Sequence, residues 1–406
     1  MVVSRWVAAY LVTIGILAAF VIGAGVAVYI DSGPDGRAEA AADRHGYDLV
    51  NWELRHLPQK WLYKIGGLFR GGSDLSDDEA IQRYFSLGET LDRLDSDDPD
   101  SEELSEALTE LRELENRVED VIEGRMTSVL EDEGLALEPP IFSDLGIILP
   151  PVDIEFDAPP RVLAVSPRDR IELDNSFLLT PGLSLDTAIG IEDDIESENE
   201  GSGGLSARVL GTGGVATYPS VLSERDSYVG LVTTAFHEWV HQYLIFFPLG
   251  RSYFSGDDVR TINETVASIS GRELARIYMD RYPPLPTSGD GPPPSDAPVD
   301  PDFDFFAAMR ELREEVESLL AEGKIIEAEA LMDEKRDEFE GNGFFVREIN
   351  QAYFAFRGFY ATGSGSIDPL GPNLQSVFEQ AGSPGDFLKL VAGVTTRDEV
   401  DSLLSS

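Results

Sequence analysis

Thr233-Thr234-Ala235-Phe236-His237-Glu238-Trp239-Val240-His241-Gln242 is an H-E-x-x-H sequence whose flanks are uncharged and mostly apolar. On an α-helix His237 and His241 leave the same face one turn apart, so both imidazoles can hold one metal ion. Glu238 sits beside them, placed to take a proton from a water activated at that metal. The competing reading, two core histidines on a buried helix, turns on whether the chain supplies a third ligand.

A catalytic zinc site takes three protein ligands and leaves a fourth position open. The other two of the four histidines, His45 and His56, lie far upstream in a polar stretch. The longer H-E-x-x-H-x-x-G-x-x-H pattern is absent, because Leu244 and Phe247 occupy the places of its glycine and last histidine. A carboxylate must therefore complete the set. Pro248 and Gly250 predict an end to the first helix near Phe247, and a second helix is expected from about Asp257 to Arg281. On it Glu264 shares a side with Ala267, Ser268, Gly271 and Ala275, all small. Small residues let two helices approach closely, which a short glutamate needs to reach a metal on the facing helix. Asp257 and Asp258 are the rival carboxylates.

His237-Glu-Trp-Val-His-Gln242 followed by Asn263-Glu264-Thr-Val-Ala267 resembles the gluzincin zinc metallopeptidases, in which H-E-x-x-H and a downstream glutamate bind zinc. The pairing is similar to that of bacterial aminopeptidases, whose later Asn-x-Ala-rich helix is matched by Ile349-Asn350-Gln351-Ala352-Tyr353. The resemblance implies a zinc (Zn2+) peptidase acting on peptides or proteins, an aminopeptidase among the activities it covers. It also implies a small sheet ahead of the metal helix, with an edge strand able to pair with an extended substrate; Gly214 to Tyr218 is the candidate edge.

Upstream, Trp6 to Ile30 is uncharged and long enough to cross a bilayer. It reads as a retained single-pass anchor in the cell membrane, with the catalytic part outside the cytoplasm. Residues 31–73 read as a juxtamembrane segment: a polar linker to about residue 50, then Asn51 to Arg70, rich in Trp, Tyr, Arg and Lys, suited either to the lipid interface or to packing on the domain. The formal net charge of -44 excludes a nucleic-acid partner, and the absence of cysteine removes disulfides and thiol chemistry.

Residues 74–138 carry dense acidic charge with Leu104, Leu108, Leu111, Val118, Val121 and Ile122 at helical spacing. An acidic helical hairpin is predicted, with Asp95 to Ser101 as its turn. Residues 139–281 form the expected metallopeptidase core: strand-like runs at Val152 to Phe156, Arg161 to Val165, Phe177 to Thr180 and Gly214 to Tyr218, then the two metal helices. Glu192 to Gly204 reads as a mobile loop. Residues 282–302 are a proline-rich loop, and 303–406 a helical region with elements at Met309 to Leu320, Ile325 to Phe339, Phe344 to Tyr360, Leu374 to Gln380 and Pro384 to Ala392. Tyr353 is the candidate to donate a hydrogen bond to the oxyanion. The fold class is α+β, mainly helical, a zincin-like domain behind a transmembrane helix. The alternative function is a catalytically silent, membrane-tethered domain that binds a partner through the acidic hairpin.

Overall fold

Alanines at Ala38 and Ala41 let the first described helix, α1 (Gly36–His45), lie flat on the domain with both methyls fully buried. The computed structural model describes residues 36–49, 52, 75–97, 102–135, 150–197, 203–224, 226–284 and 303–405. After α1 come α2 (Asp77–Asp97), α3 (Glu102–Asp132), β1 (Ile154–Phe156), β2 (Arg161–Pro167), β3 (Asn175–Leu179), α4 (Leu185–Glu196), β4 (Leu205–Gly211), β5 (Gly214–Val215) and β6 (Ser220–Leu222). The metal-helix region is α5 (Tyr228–Leu244), α6 (Pro248–Arg251) and α7 (Asp257–Arg281). The chain ends in α8 (Phe305–Ala321), α9 (Ile325–Gly341), α10 (Gln351–Arg357), α11 (Leu370–Ala381), α12 (Pro384–Val391) and α13 (Arg397–Leu404). The architecture is mainly helical with little sheet. The apolar run Trp6 to Ile30 lies outside the described residues, and among those described no helix is long and apolar enough to cross a membrane.

Instead of one small sheet there are two, each of three strands. One has the order β3-β2-β4, all antiparallel, with Leu163 opposite Phe177 and Val209. Successive side chains point to opposite faces of a strand, and here both faces are covered. Val162 and Ala164 pack towards α8 and α10, Leu163 and Val165 towards α1 and α4. Burial on both sides explains why β2 reads as a continuous apolar run. The second sheet, β1-β6-β5, lies against the metal helices, with β1 parallel and β5 antiparallel to β6. The outer edge of β1 is closed by α3: Glu123 accepts from the Ile154 N–H at 3.0 Å and Glu119 from the Phe156 N–H at 2.7 Å. Among the described residues, the edge at Gly214–Val215, anticipated from sequence, is therefore the one left for a further strand.

The acidic hairpin forms with nearly its expected limits, and its apolar stripe belongs to the main core. Leu111, Val118, Ile122 and Met126 of α3 share one cluster with Phe236, Trp239, Ile262 and Val266 of α5 and α7. Trp52 of the aromatic segment is buried and donates from its indole to Asp157 at 2.8 Å, so it packs on the domain.

Four sequence readings are corrected. The linker before residue 50 contains α1, because its alanines find a sheet to cover. Glu192 to Gly204 begins as helix, not as a mobile loop: Ser184 caps α4, which runs to Glu196 and presents Glu192 inward, while Leu205 opens β4. Phe344 to Tyr360 is not one helix, because Asn350 is in an extended conformation and caps α10 by accepting from the Tyr353 N–H. A last helix, α13, was not anticipated; it starts in a capping box formed by Thr396 and Glu399.

Glu192 is buried against two arginines, Arg208 at 3.3 Å and Arg347 at 2.5 Å. Glu196, one turn on, accepts from the Ala207 N–H at 3.0 Å, yet burial raises its carboxyl to about 7, with Glu348, Glu192 and Asp193 adding repulsion. A folded-state pKa above the unfolded value near 4.3 means that the native chain holds the extra proton. Its stabilising contribution is complete below the unfolded pKa and is lost as pH rises through about 7. Glu196→Gln should therefore raise the melting temperature by about 2–6 °C at pH 8 and change it little at pH 4. The same increase at both pH values in thermal scans would show that the carboxyl titrates as if in water.

Candidate metal centre

Ser227 starts α5 by accepting from the Gly230 N–H, and the apolar side of the helix, Leu231, Val232, Ala235, Phe236 and Trp239, is buried. Each large side chain removed from water here contributes roughly 1.5–3 kcal/mol, which fixes the rotation of the helix about its axis. Gln242 holds the far end, donating to Ser220 Oγ at 2.8 Å and to the Thr217 carbonyl. With rotation and height fixed, His237 and His241 face α7.

The two helices cross where Gly271 meets His237. A methyl group on Gly271 would lie 2.9–3.1 Å from the backbone N, Cα and Cβ of His237, closer than carbon atoms pack. The row of small residues read from the sequence is thus the closest point between the metal helices. Gly271→Ala should push them apart, costing about 1–3 kcal/mol of stability and weakening zinc binding by roughly 10-fold or more. Thermal unfolding of the metal-free chain and a zinc titration against a competing chelator would measure both. An unchanged zinc affinity would contradict the close-approach argument.

Three ligand atoms converge at this crossing. His237 Nε2 and His241 Nε2 are 3.0 Å apart, and Glu264 Oε2 lies 3.4 Å from the first and 3.5 Å from the second. Tetrahedral bonds of about 2.0–2.1 Å put neighbouring ligand atoms ~3.3–3.4 Å apart, so these spacings match a zinc-sized ion held by all three. Glu264 Oε2 is buried and has no hydrogen-bond donor among the described residues, as suits an oxygen reserved for a cation. The residues fit a metal.

Partners of the ligands hold them in the binding form. Asn263 Nδ2 lies 3.4 Å from the Leu249 carbonyl, which turns its Oδ1 to His241 Nδ1 at 2.7 Å. An amide oxygen only accepts, so Nδ1 carries the proton and the Nε2 lone pair faces the centre. Tyr253, just after α6, donates its hydroxyl to Glu264 Oε1 and leaves Oε2 directed inward. The half-buried Arg260 lies over the rings of Phe359, at 4.2 Å, and Tyr253, at 5.7 Å. Burial alone would raise the Glu264 carboxyl, but His241 and His237 hold it well below the ordinary range. Glu238 is the reverse case: burial raises its carboxyl, opposed by the same two histidines. A raised carboxylate pKa makes a more effective proton acceptor near neutral pH. Asp226, at the entrance to α5, is also raised by burial.

His237, His241 and Glu264 are thus brought together as anticipated, with Glu238 on the same helix. The rival Asp258 is exposed and paired with Arg397 at 2.6 Å. Tyr353 is placed elsewhere, packed in the cluster around Met309 and Phe339 with Arg357 over its ring at 5.9 Å. The tyrosine against His237 is Tyr360, with ring centroids 6.2 Å apart. Sequence reading missed Tyr253, Asn263 and Tyr360 as site residues; only Asn263 carried a signal, standing directly before the glutamate ligand. The edge strand β5 runs over the site, since a methyl group on Gly214 would lie 3.2 Å from Glu238 Cγ. Comparison with protein families, with curated proteins and with solved structures finds no match to the chain.

Proposed function

We propose that the protein is a zinc-dependent peptidase of gluzincin type, anchored in the cell membrane by Trp6 to Ile30 with its catalytic part outside the cytoplasm. The observation that carries the reading is the convergence of two imidazole nitrogens and one buried carboxylate oxygen at tetrahedral spacing, with Glu238 one residue after the first ligand. A bound zinc ion supplies Lewis acidity and lowers the pKa of water to about 7. Glu238 accepts the proton of the attacking water as its oxygen adds to the scissile carbonyl carbon. It returns that proton to the amine as the C–N bond breaks, giving one carboxylic acid and one amine. Tyr360, whose ring lies against His237 while that of Tyr353 does not, takes the role of the phenol that donates to the oxygen on which negative charge develops. The free edge of β5 gives an extended peptide a strand to pair with beside Glu238.

The alternative, a silent domain that recruits a partner through the hairpin, would have to use the acidic outer face, because the apolar stripe of α3 is buried in the core around the metal helices. Metal analysis and a peptide-library digest of the full-length protein in detergent test the proposal. Stoichiometric zinc is expected, with cleavage that stops on chelation and returns on adding zinc. A zinc-loaded protein that cleaves no peptide would overturn the peptidase reading.

A further inference from the structure

Beside Tyr360 a cavity of about 530 Å³ opens between α8, the segment before α10 and the loop after it. Ligand pockets span roughly 300–1,000 Å³, so the space suits a small group. Its walls are aromatic: Phe305 and Phe344 stack with centroids 4.7 Å apart, and Tyr353 and Tyr360 complete the bowl. Phe306 and Phe345 stand at its rim, 53% and 77% exposed. Leaving such rings in water forfeits burial energy that a bound apolar group would recover.

Among the described residues one charge lines this cavity. Arg357, exposed at the end of α10, lies over the Tyr353 ring, and among the described residues no carboxylate pairs with it. In a chain with 75 acidic and 31 basic residues, most arginines around the core are paired, as Arg208, Arg347 and Arg397 are. A guanidinium held on Tyr353 and without a carboxylate partner among the described residues, beside an aromatic bowl, is complementary to a ligand that has an aromatic ring and a carboxylate close together. Tyr360 forms a wall of this cavity and also faces His237, so the bowl and the metal ligands are contiguous.

We infer that this cavity is a binding site for a C-terminal aromatic residue, its ring in the bowl and its free carboxylate on Arg357. Resting on the peptidase reading, this defines the substrate class as peptides that end in a free aromatic residue.

The test measures binding of N-acetylphenylalanine, its amide and N-acetylalanine to the zinc-loaded, full-length protein. The acid should bind about 10-fold or more tightly than the amide, since a hydrogen bond to a charged group is worth that much. N-acetylalanine should bind more weakly still. Arg357→Met should remove the preference for the acid, and Arg357→Lys should keep part of it. Equal binding of acid and amide by the wild type would overturn the inference. So would an unchanged preference in Arg357→Met, which would put the carboxylate on the metal. Should Arg357→Met fail to fold, Phe345→Ala serves instead: weaker N-acetylphenylalanine binding supports the site. An unchanged affinity for N-acetylphenylalanine in that variant would overturn it. The two readings fail separately. Peptide cleavage with no preference for a terminal aromatic residue defeats the pocket alone, whereas ligand binding without cleavage of any peptide defeats the peptidase.

Discussion

Glu238→Gln retains zinc and loses turnover, by about 10²–10⁴-fold, the usual contribution of a positioned general base. Glutamine keeps the shape and the packing against Gly214, and the three ligand atoms come from other residues, so the metal site has no cause to rearrange. What disappears is a carboxylate whose affinity for a proton is raised by burial. Zinc content by atomic emission and kcat on a peptide found in the library digest give the two readouts. Turnover equal to the wild type would remove Glu238 from the mechanism, and loss of zinc would make it part of the metal site.

Glu264→Ala has the larger effect on the metal. It deletes one of three ligands and leaves Tyr253 and Arg260 facing an empty, buried position, so the loss of zinc affinity should exceed the roughly 10–100-fold typical of an outer partner. Tyr253→Phe is such an outer change, because Oε2 survives and only its orientation loosens. Asp258→Ala leaves the centre intact, since that carboxylate is committed to Arg397 at the surface. Competition titrations with a zinc chelator should therefore rank the affinities as Glu264→Ala far below Tyr253→Phe, with Asp258→Ala at the wild-type value. Full zinc occupancy in Glu264→Ala, or its loss in Asp258→Ala, would end the assignment of a glutamate ligand.

The readings that succeeded rest on local rules. Pro248 and Gly256 bracket α6 and delimit the metal helices, i to i+4 spacing pairs His237 with His241, and small side chains mark the crossing at Gly271. Those that failed depend on partners distant in sequence. Glu192 and Glu196 look like a solvated acidic run until Arg208 and Arg347 arrive, the latter 155 residues away. Tyr353 and Tyr360 are equally aromatic and lie in one segment, but the extended Asn350 and the short α10 decide which of them meets His237. Tyr253 follows a one-turn helix, and no periodicity could direct its hydroxyl to Glu264. The aromatic segment near Trp52 had two readings, and the indole hydrogen bond to Asp157 selects packing for that residue.

The closure of β1 by Glu119 and Glu123 makes the second sheet polar in its growth. A sheet with two open edges can add a chain on either side, whereas among the described residues the open edge of this one is Gly214–Val215, the strand that passes over Glu238. Two copies that joined by strand pairing through this sheet would do so beside each other's metal centre, so such self-association and substrate entry compete for the same few backbone groups. An edge only two residues long offers little to another folded copy and suffices for a mobile peptide that can bring further contacts of its own.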